Sequence, residues 1–230
     1  MTTALNKSPA GRVAIVTGGS RGVGRATARR LAARGYAVVV NYLHDQRAAE
    51  LTVEAILTDN SDAIAVRADV ADDLDVQRLF AETIAAFGGI DVVVHAAGTR
   101  ITASPVTGAG LDEFDALVRI NTRATFVVNR EAARHLHDGG AIVNLSSSAG
   151  GSLLRIYGLY TASKAPADVL TRALAAELRE RNITVNAVSL EAGRPCTPNR
   201  VADIIACLLS DQGQRLTGQV LRVGDPGLRP

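Results

Sequence analysis

The amino-acid sequence predicts an α/β protein, a single domain built on a doubly wound parallel sheet of about seven strands. Three observations carry that expectation. Short runs rich in Val, Ile and Ala are apolar on both faces, as strands covered by helices on both sides must be. Segments of helical length separate them, long enough for right-handed crossovers between parallel neighbours. The length, 230 residues with 47% hydrophobic and 21% charged side chains, lies at the upper end of what one core organises.

The elements follow in order. Residues 12–17 (R-V-A-I-V-T) read as the first buried strand, and residues 1–11 before them as a flexible polar tail. A helix is expected over 22–34, a strand over 36–41, and a helical stretch to about Asp59. A strand at 63–67 and a helix at 72–87 come next, then a strand at 91–95 (D-V-V-V-H). A long helical region, 111–137, leads to a strand at 141–145. Residues 157–181 read as a helix and 184–189 as a strand. Thr197 and Pro198 have the form of an N-cap and an N1 proline. They open a helix over 199–210 on which Val201, Ile204, Ile205, Leu208 and Leu209 recur at helical spacing. A strand at 219–223 ends the series, with no linker, repeat or low-complexity block.

Composition excludes several function classes. The 25 basic residues against 23 acidic ones give a net charge of +2, too balanced for a nucleic-acid footprint. With 3% aromatics and no Trp there is no stacking platform for single strands. The two cysteines, Cys196 and Cys207, form no paired motif and suit reduced thiols in a cytoplasmic protein. No signal-peptide core and no membrane-length apolar run are seen, so no membrane partner is expected. No metal is expected either: His135 and His137 diverge on a helix, and His44 and His95 have no partner nearby in sequence. A serine hydrolase would want Gly-x-Ser-x-Gly, which the run Ser146–Ser148 lacks.

Two local patterns point to chemistry. The first strand runs into Thr17-Gly18-Gly19-Ser20-Arg21-Gly22-Val23-Gly24, where a helix begins. Glycines there let backbone approach a pyrophosphate, and the helix N-terminus supplies free N–H groups. Gly19 to Gly24 has the spacing of a Walker loop, but Arg25 and Ala26 follow where Lys and Ser or Thr are required. By itself the turn is equally a tight strand–helix connection; its place after the first strand of a βαβ unit favours a cofactor. The second pattern is Tyr160 and Lys164, at i and i+4 on one helical face. A cation beside a phenol favours its ionised form and brings it toward the operating range. Taken alone the pair also reads as a surface contact. Yet the chain has only two lysines, Lys7 and Lys164, and writes Arg almost everywhere else.

Together these motifs resemble the short-chain dehydrogenase/reductases, in particular ketoacyl-reductase-like members, from Arg12 to about Val223. The T-G-x-x-x-G-x-G turn is Thr17, Gly18, Gly22 and Gly24. Asp69-Val70 matches the pair that holds the adenine, and His95-Ala96-Ala97-Gly98 the Asn-Asn-Ala-Gly segment, with His and Ala for its asparagines. Asn121, Ser147, Tyr160 and Lys164 match the catalytic set, Ser147 lying 13 residues before Tyr160. The resemblance implies a Rossmann-type fold and hydride transfer between a nicotinamide and a carbonyl or alcohol carbon. Ser147 would hold the substrate oxygen, Tyr160 would exchange the proton, and Lys164 would lower the phenol's pKa and bind ribose. Asn121 would hold a water linking Lys164 to solvent. Gly18, Ser20, Arg21, Gly22, Val23 and Gly24, with Ala96, Ala97 and Gly98, would line the cofactor. Asn41 and Tyr42 stand where an NAD enzyme carries a carboxylate, and Arg21 is placed to pair a 2′-phosphate, so NADP(H) is expected. Family members assemble as dimers and tetramers, which implies a homodimer or homotetramer here.

The pattern breaks after the sixth strand. Leu190 and Glu191 replace the family's Pro-Gly, and only residues 190–198 remain for the segment that covers the substrate. The tail reads Gly224-Asp225-Pro226-Gly227 where relatives read Asp-Gly-Gly. One reading is reduction of a small-molecule ketone, bulky or carrier-presented, in an open cleft walled by Leu153, Leu154, Ile156 and Tyr157, with Arg155 and Arg194 nearby. The alternative is an NADP-binding protein with lost or altered redox activity, serving another, non-redox reaction or acting as a cofactor sensor or a partner-dependent subunit.

Overall fold

The computed structural model describes residues 11–99, 105–148, 154–191 and 196–224. Seven strands, β1 (Val13–Thr17), β2 (Ala37–Tyr42), β3 (Ala63–Arg67), β4 (Val92–His95), β5 (Ala141–Ser148), β6 (Thr184–Glu191) and β7 (Val220–Val223), form one sheet. Their order is β3-β2-β1-β4-β5-β6-β7, and every neighbouring pair is parallel. The predicted doubly wound α/β architecture is therefore present. The chain steps outward from β1 to β3 and then reverses at β4. The crevice between the C-terminal ends of β1 and β4 is the switch point, where such sheets bind ligands.

Strand alternation splits the core into two layers. Ala14, Val16, Val92, Val94 and Val143 face α1 (Gly22–Ala32) and α7 (Pro198–Leu208). Ile15, Val93, Ile142 and Val185 pack on the other face with α3 (Asp73–Phe87), α5 (Ala124–His135) and α6 (Leu154–Glu177). Each layer buries about twenty side chains, enough to hold the strand ends rigidly.

Capping sets several boundaries. Asp45 accepts from Ala48 N at the start of α2 (Gln46–Thr58), and Asp72 accepts from Asp75 N at the start of α3. Thr197 accepts from Arg200 N with Pro198 in the first turn of α7, as the sequence predicts. Several boundaries differ. The region expected as one helix comprises α4 (Leu111–Leu117), a π-helical segment Val118–Arg123, and α5. Helix α6 begins at Leu154 rather than 157 and carries Pro166 inside it, so the Ala162 carbonyl has no N–H to accept from four residues on. Strands β5 and β6 outrun their predicted ends by three and two residues. Ser147 and Ser148 pair with Leu190 and Glu191, and neither Leu nor Glu interrupts a ladder as Pro would.

The tail up to residue 10, residues 192–195 of the shortened segment, the side chains of Leu153 and Leu154, Arg194, and residues 225–230 lie outside the described residues. No helix among the described residues is long and apolar enough to cross a membrane.

Candidate active site

The switch-point crevice is built by Thr17 and the turn that follows it. Gly18 and Gly22 have φ of 63° and 56°, the left-handed region glycine enters freely. A side chain at Gly24 would put its Cβ 2.2 Å from the Gly18 carbonyl oxygen, so only glycine lets α1 start this close to the turn. No side chain caps α1, and its first helical bond runs from Arg25 N to Arg21 O. The first-turn amides of Gly22, Val23 and Gly24 are thus left for an anion. Thr17 Oγ1 accepts from Ala96 N and Ala97 N, both at 3.1 Å, which pins the 95–98 segment beside the turn.

Helix α6 brings Tyr160 and Lys164 to the same end of the sheet, one turn apart. The π segment brings Asn121 to meet them. Asn121 Nδ2 donates to Ser163 Oγ at 2.9 Å, and Ser163 Oγ donates to the Tyr160 carbonyl at 2.7 Å. Thr122 Oγ1 donates to the Ser163 carbonyl at 2.8 Å. The position a Gly98 Cβ would take lies 2.9 Å from Lys164 Nζ and 3.4 Å from Asn121 Oδ1. Lysine, asparagine and the 95–98 segment therefore converge on one point. Ser147, half-buried at the end of β5, donates from Oγ to the Leu190 carbonyl at 3.1 Å.

Burial shapes the electrostatics. Lys164 is 4% exposed, and desolvation lowers its pKa from 10.5 to about 8. Burial also raises the Tyr160 phenol above its ordinary value of 10. The lowered phenol expected from a neighbouring lysine is not what this geometry produces; desolvation sets the direction. His95, completely buried, is driven to about 3, first by desolvation and then by the charge of Lys164.

The remaining sequence-predicted residues fall into two groups. Ser20 is buried in the turn, Arg21 is exposed at its rim, and Tyr42 is half-buried at the end of β2. Val70 is buried behind Asp69. Asn41, expected to face the cofactor, is 2% exposed and turned inward. Its Nδ2 donates to the carbonyls of Val66 and Ala68, and its Oδ1 accepts weakly from Gly18 N. It braces the glycine turn from below. Asp69 Oδ1 accepts from Ala71 N at 2.9 Å, and Arg119 donates to Oδ2 at 2.6 Å. Sequence reasoning missed Arg119, Ser163 and the Leu190 carbonyl. Only Ser163 carried a local signal, being next to Lys164. A groove of about 310 Å³ lined by Phe126, Arg130, Leu170 and Glu177 lies between α5 and α6, away from this constellation.

Comparison with known proteins agrees with the geometry. The family model described as short chain dehydrogenase matches residues 12–194. Versicolorin reductase 1 of Aspergillus parasiticus is 42% identical over 181 residues, covering 78% of this chain and 68% of that protein. A short-chain type dehydrogenase/reductase of Picea abies is 38% identical over 247 residues, covering 93% of this chain and 91% of the other. That aligned span exceeds the 230 residues present here, so the Picea abies protein carries positions within it that this chain lacks. A short chain dehydrogenase from Burkholderia cenocepacia J2315, solved in complex with NADP, superposes with a TM-score of 0.85 at 33% identity, covering 93% and 96% of the two chains. The chain belongs to the short-chain dehydrogenase family and is an oxidoreductase of that family.

Proposed function

We propose that the chain is an NADPH-dependent ketone reductase working in an open cleft. The observation that carries this is the convergence of the buried Lys164 ammonium, Asn121 and Gly98, one helical turn from the Tyr160 phenol. The residues present fit the cofactor. Three uncapped amides at the start of α1 suit its pyrophosphate, the Asp69 carboxylate suits the adenine amino group, and Arg21 suits a 2′-phosphate. The absence of a carboxylate at the end of β2 removes the repulsion that would select against that phosphate. The Burkholderia relative, solved with NADP, supports the same choice.

The nicotinamide supplies the hydride when bound; the protein's own residues handle the oxygen. Ser147 Oγ is the donor that steadies negative charge developing on the substrate oxygen, its one hydrogen turning to that oxygen from the Leu190 carbonyl it meets in the free protein. Tyr160, whose proton burial retains at neutral pH, serves as the general acid. Lys164 presents a compact cation with three donors to the ribose and to the phenol's side of the site. Asn121 and Ser163 fix the π segment against α6 so that these groups keep their relative positions.

Six residues separate Glu191 from Pro198, too few for helices that would cover a substrate. This supports a bulky or carrier-presented ketone, with Ile156 and Tyr157 on one wall. The same replacement of Pro-Gly by Leu-Glu favours the second reading, an NADP-binding member with altered redox chemistry. NADPH oxidation measured against a panel of small, polycyclic and thioester-linked ketones separates the two. Turnover of the larger ketones is expected; tight NADPH binding with no turnover of any of them overturns the reductase reading. The groove between α5 and α6, with Phe126 exposed beside it, supports a homodimer.

A further inference from the structure

Behind Lys164, on the sheet face that α5 and α6 cover, lies a patch of buried polar atoms without partners among the described residues. Strand alternation puts it there. Val93, Ile142 and Val185 pack on that face, so His95, Ser146 and Ser189, an even number of positions further along, share it. His95 Nε2, Ser146 Oγ and Ser189 Oγ are each buried with no hydrogen-bond partner, and so is Asn121 Oδ1, which enters from the π segment. Ser146 and Ser189 are direct partners on β5 and β6.

A hydrogen count fixes the imidazole. Thr17 Oγ1 accepts from two amides, Ala96 N and Ala97 N, which uses both its lone pairs. Its one hydrogen is left for His95 Nδ1, 2.9 Å away. The ring proton therefore sits on Nε2, as a donor with nothing to meet. An imidazolium has no place here, because its Nδ1–H would face an oxygen already full. Burial and the nearby Lys164 charge act in the same sense.

Buried polar atoms grouped like this are costly unless an ordered water joins them, and an internal water makes about three hydrogen bonds. We propose that His95 is a positioning residue for Lys164: its Nε2–H and Asn121 Oδ1 hold an internal water against the lysine ammonium, with Ser146 and Ser189 continuing the hydrated patch. A water there gives the ammonium a neutral acceptor inside the fold, and a neutral imidazole leaves Lys164 as the local cation. This role rests on the reading of Lys164 as part of the active site.

Two measurements on the unsubstituted protein need no turnover. Imidazole nitrogen-15 NMR should show His95 as the Nε2–H tautomer across neutral pH, and a high-resolution crystal structure should show a water bonded to His95 Nε2 and Asn121 Oδ1. The Nδ1–H tautomer, or a dry patch, overturns the proposal. In kinetics, His95→Phe should lower kcat about tenfold while the KM for NADPH stays within about twofold. His95→Asn, which again offers one acceptor and one donor, should recover most of the loss. An unchanged kcat in His95→Phe, or equal losses in both variants with KM rising in step, overturns the positioning role. If His95→Phe does not fold, His95→Asn and the tautomer decide. If the parent turns over no ketone, the reductase reading fails while the NMR and crystallographic results still judge the water site.

Discussion

Lys164 shows at the scale of one residue how function and stability oppose each other. Below pH about 8 both the folded and the unfolded chain carry its proton, and the folded state bears the full cost of a buried ammonium. Between about 8 and 10.5 the folded chain sheds the proton while the unfolded chain keeps it, so stability from this group rises with pH across that window. The shift corresponds to a cost on the order of 3 kcal/mol at neutral pH. Lys164→Met should therefore raise the urea midpoint of the cofactor-free protein at pH 7 and abolish turnover, and its stability advantage should shrink as pH climbs toward 10.5. A midpoint at pH 7 lower than the parent's would refute the cost assigned to the ammonium. The pairing of Tyr160 and Lys164 on one face of α6 was legible in the sequence because i,i+4 spacing is local information. The inward turn of Asn41 was not, since a strand end gives no sign of which neighbours its amide will find. Nor was the pairing of Asp69 with Arg119, which are joined only by the fold.

At the scale of elements, apolar runs and caps carried most of the information. All seven strands were readable because each holds a short run rich in Val, Ile, Leu or Ala, and α7 because Thr197 and Pro198 mark its start. The π segment was hidden. Its cause is tertiary, the demand that Asn121 and Thr122 both reach Ser163, and no hydrophobic period records such a demand. The 95–98 segment makes a test of element placement. A Cβ on Gly98 would meet Lys164 Nζ at 2.9 Å, the far end of a flexible chain rather than backbone. Gly98→Ala should leave the unfolding midpoint nearly unchanged but lower kcat about tenfold, since the ammonium must move aside. Equal losses of stability and activity would mean that the segment itself, not the lysine, had been displaced.

For the whole molecule, the cofactor half follows the family closely, while the region after β6 departs from it. Residues 12–194 match the family model, and the match stops inside the shortened connection between β6 and α7. Sequence comparison was strong at the strand ends because each side chain there answers to a cofactor or a neighbour. It was weak for the substrate, because only six residues join Glu191 to Pro198 where the resemblance expects a long covering segment. Assembly belongs to this scale too. If the α5–α6 groove is a subunit contact, sedimentation should give a dimer, and Phe126→Glu should yield monomers; a monomeric parent would refute the contact. The scarcity of lysine has a further consequence for the molecule as a whole. Beyond Lys7, a lysine-specific protease finds one bond to cut, Lys164–Ala165, and that bond lies inside α6. Cleavage there counts the molecules whose α6 has opened, and any ligand that favours the closed form lowers the count by the free energy it adds. The residue proposed for the reacting centre is thereby also the chain's own gauge of unfolding.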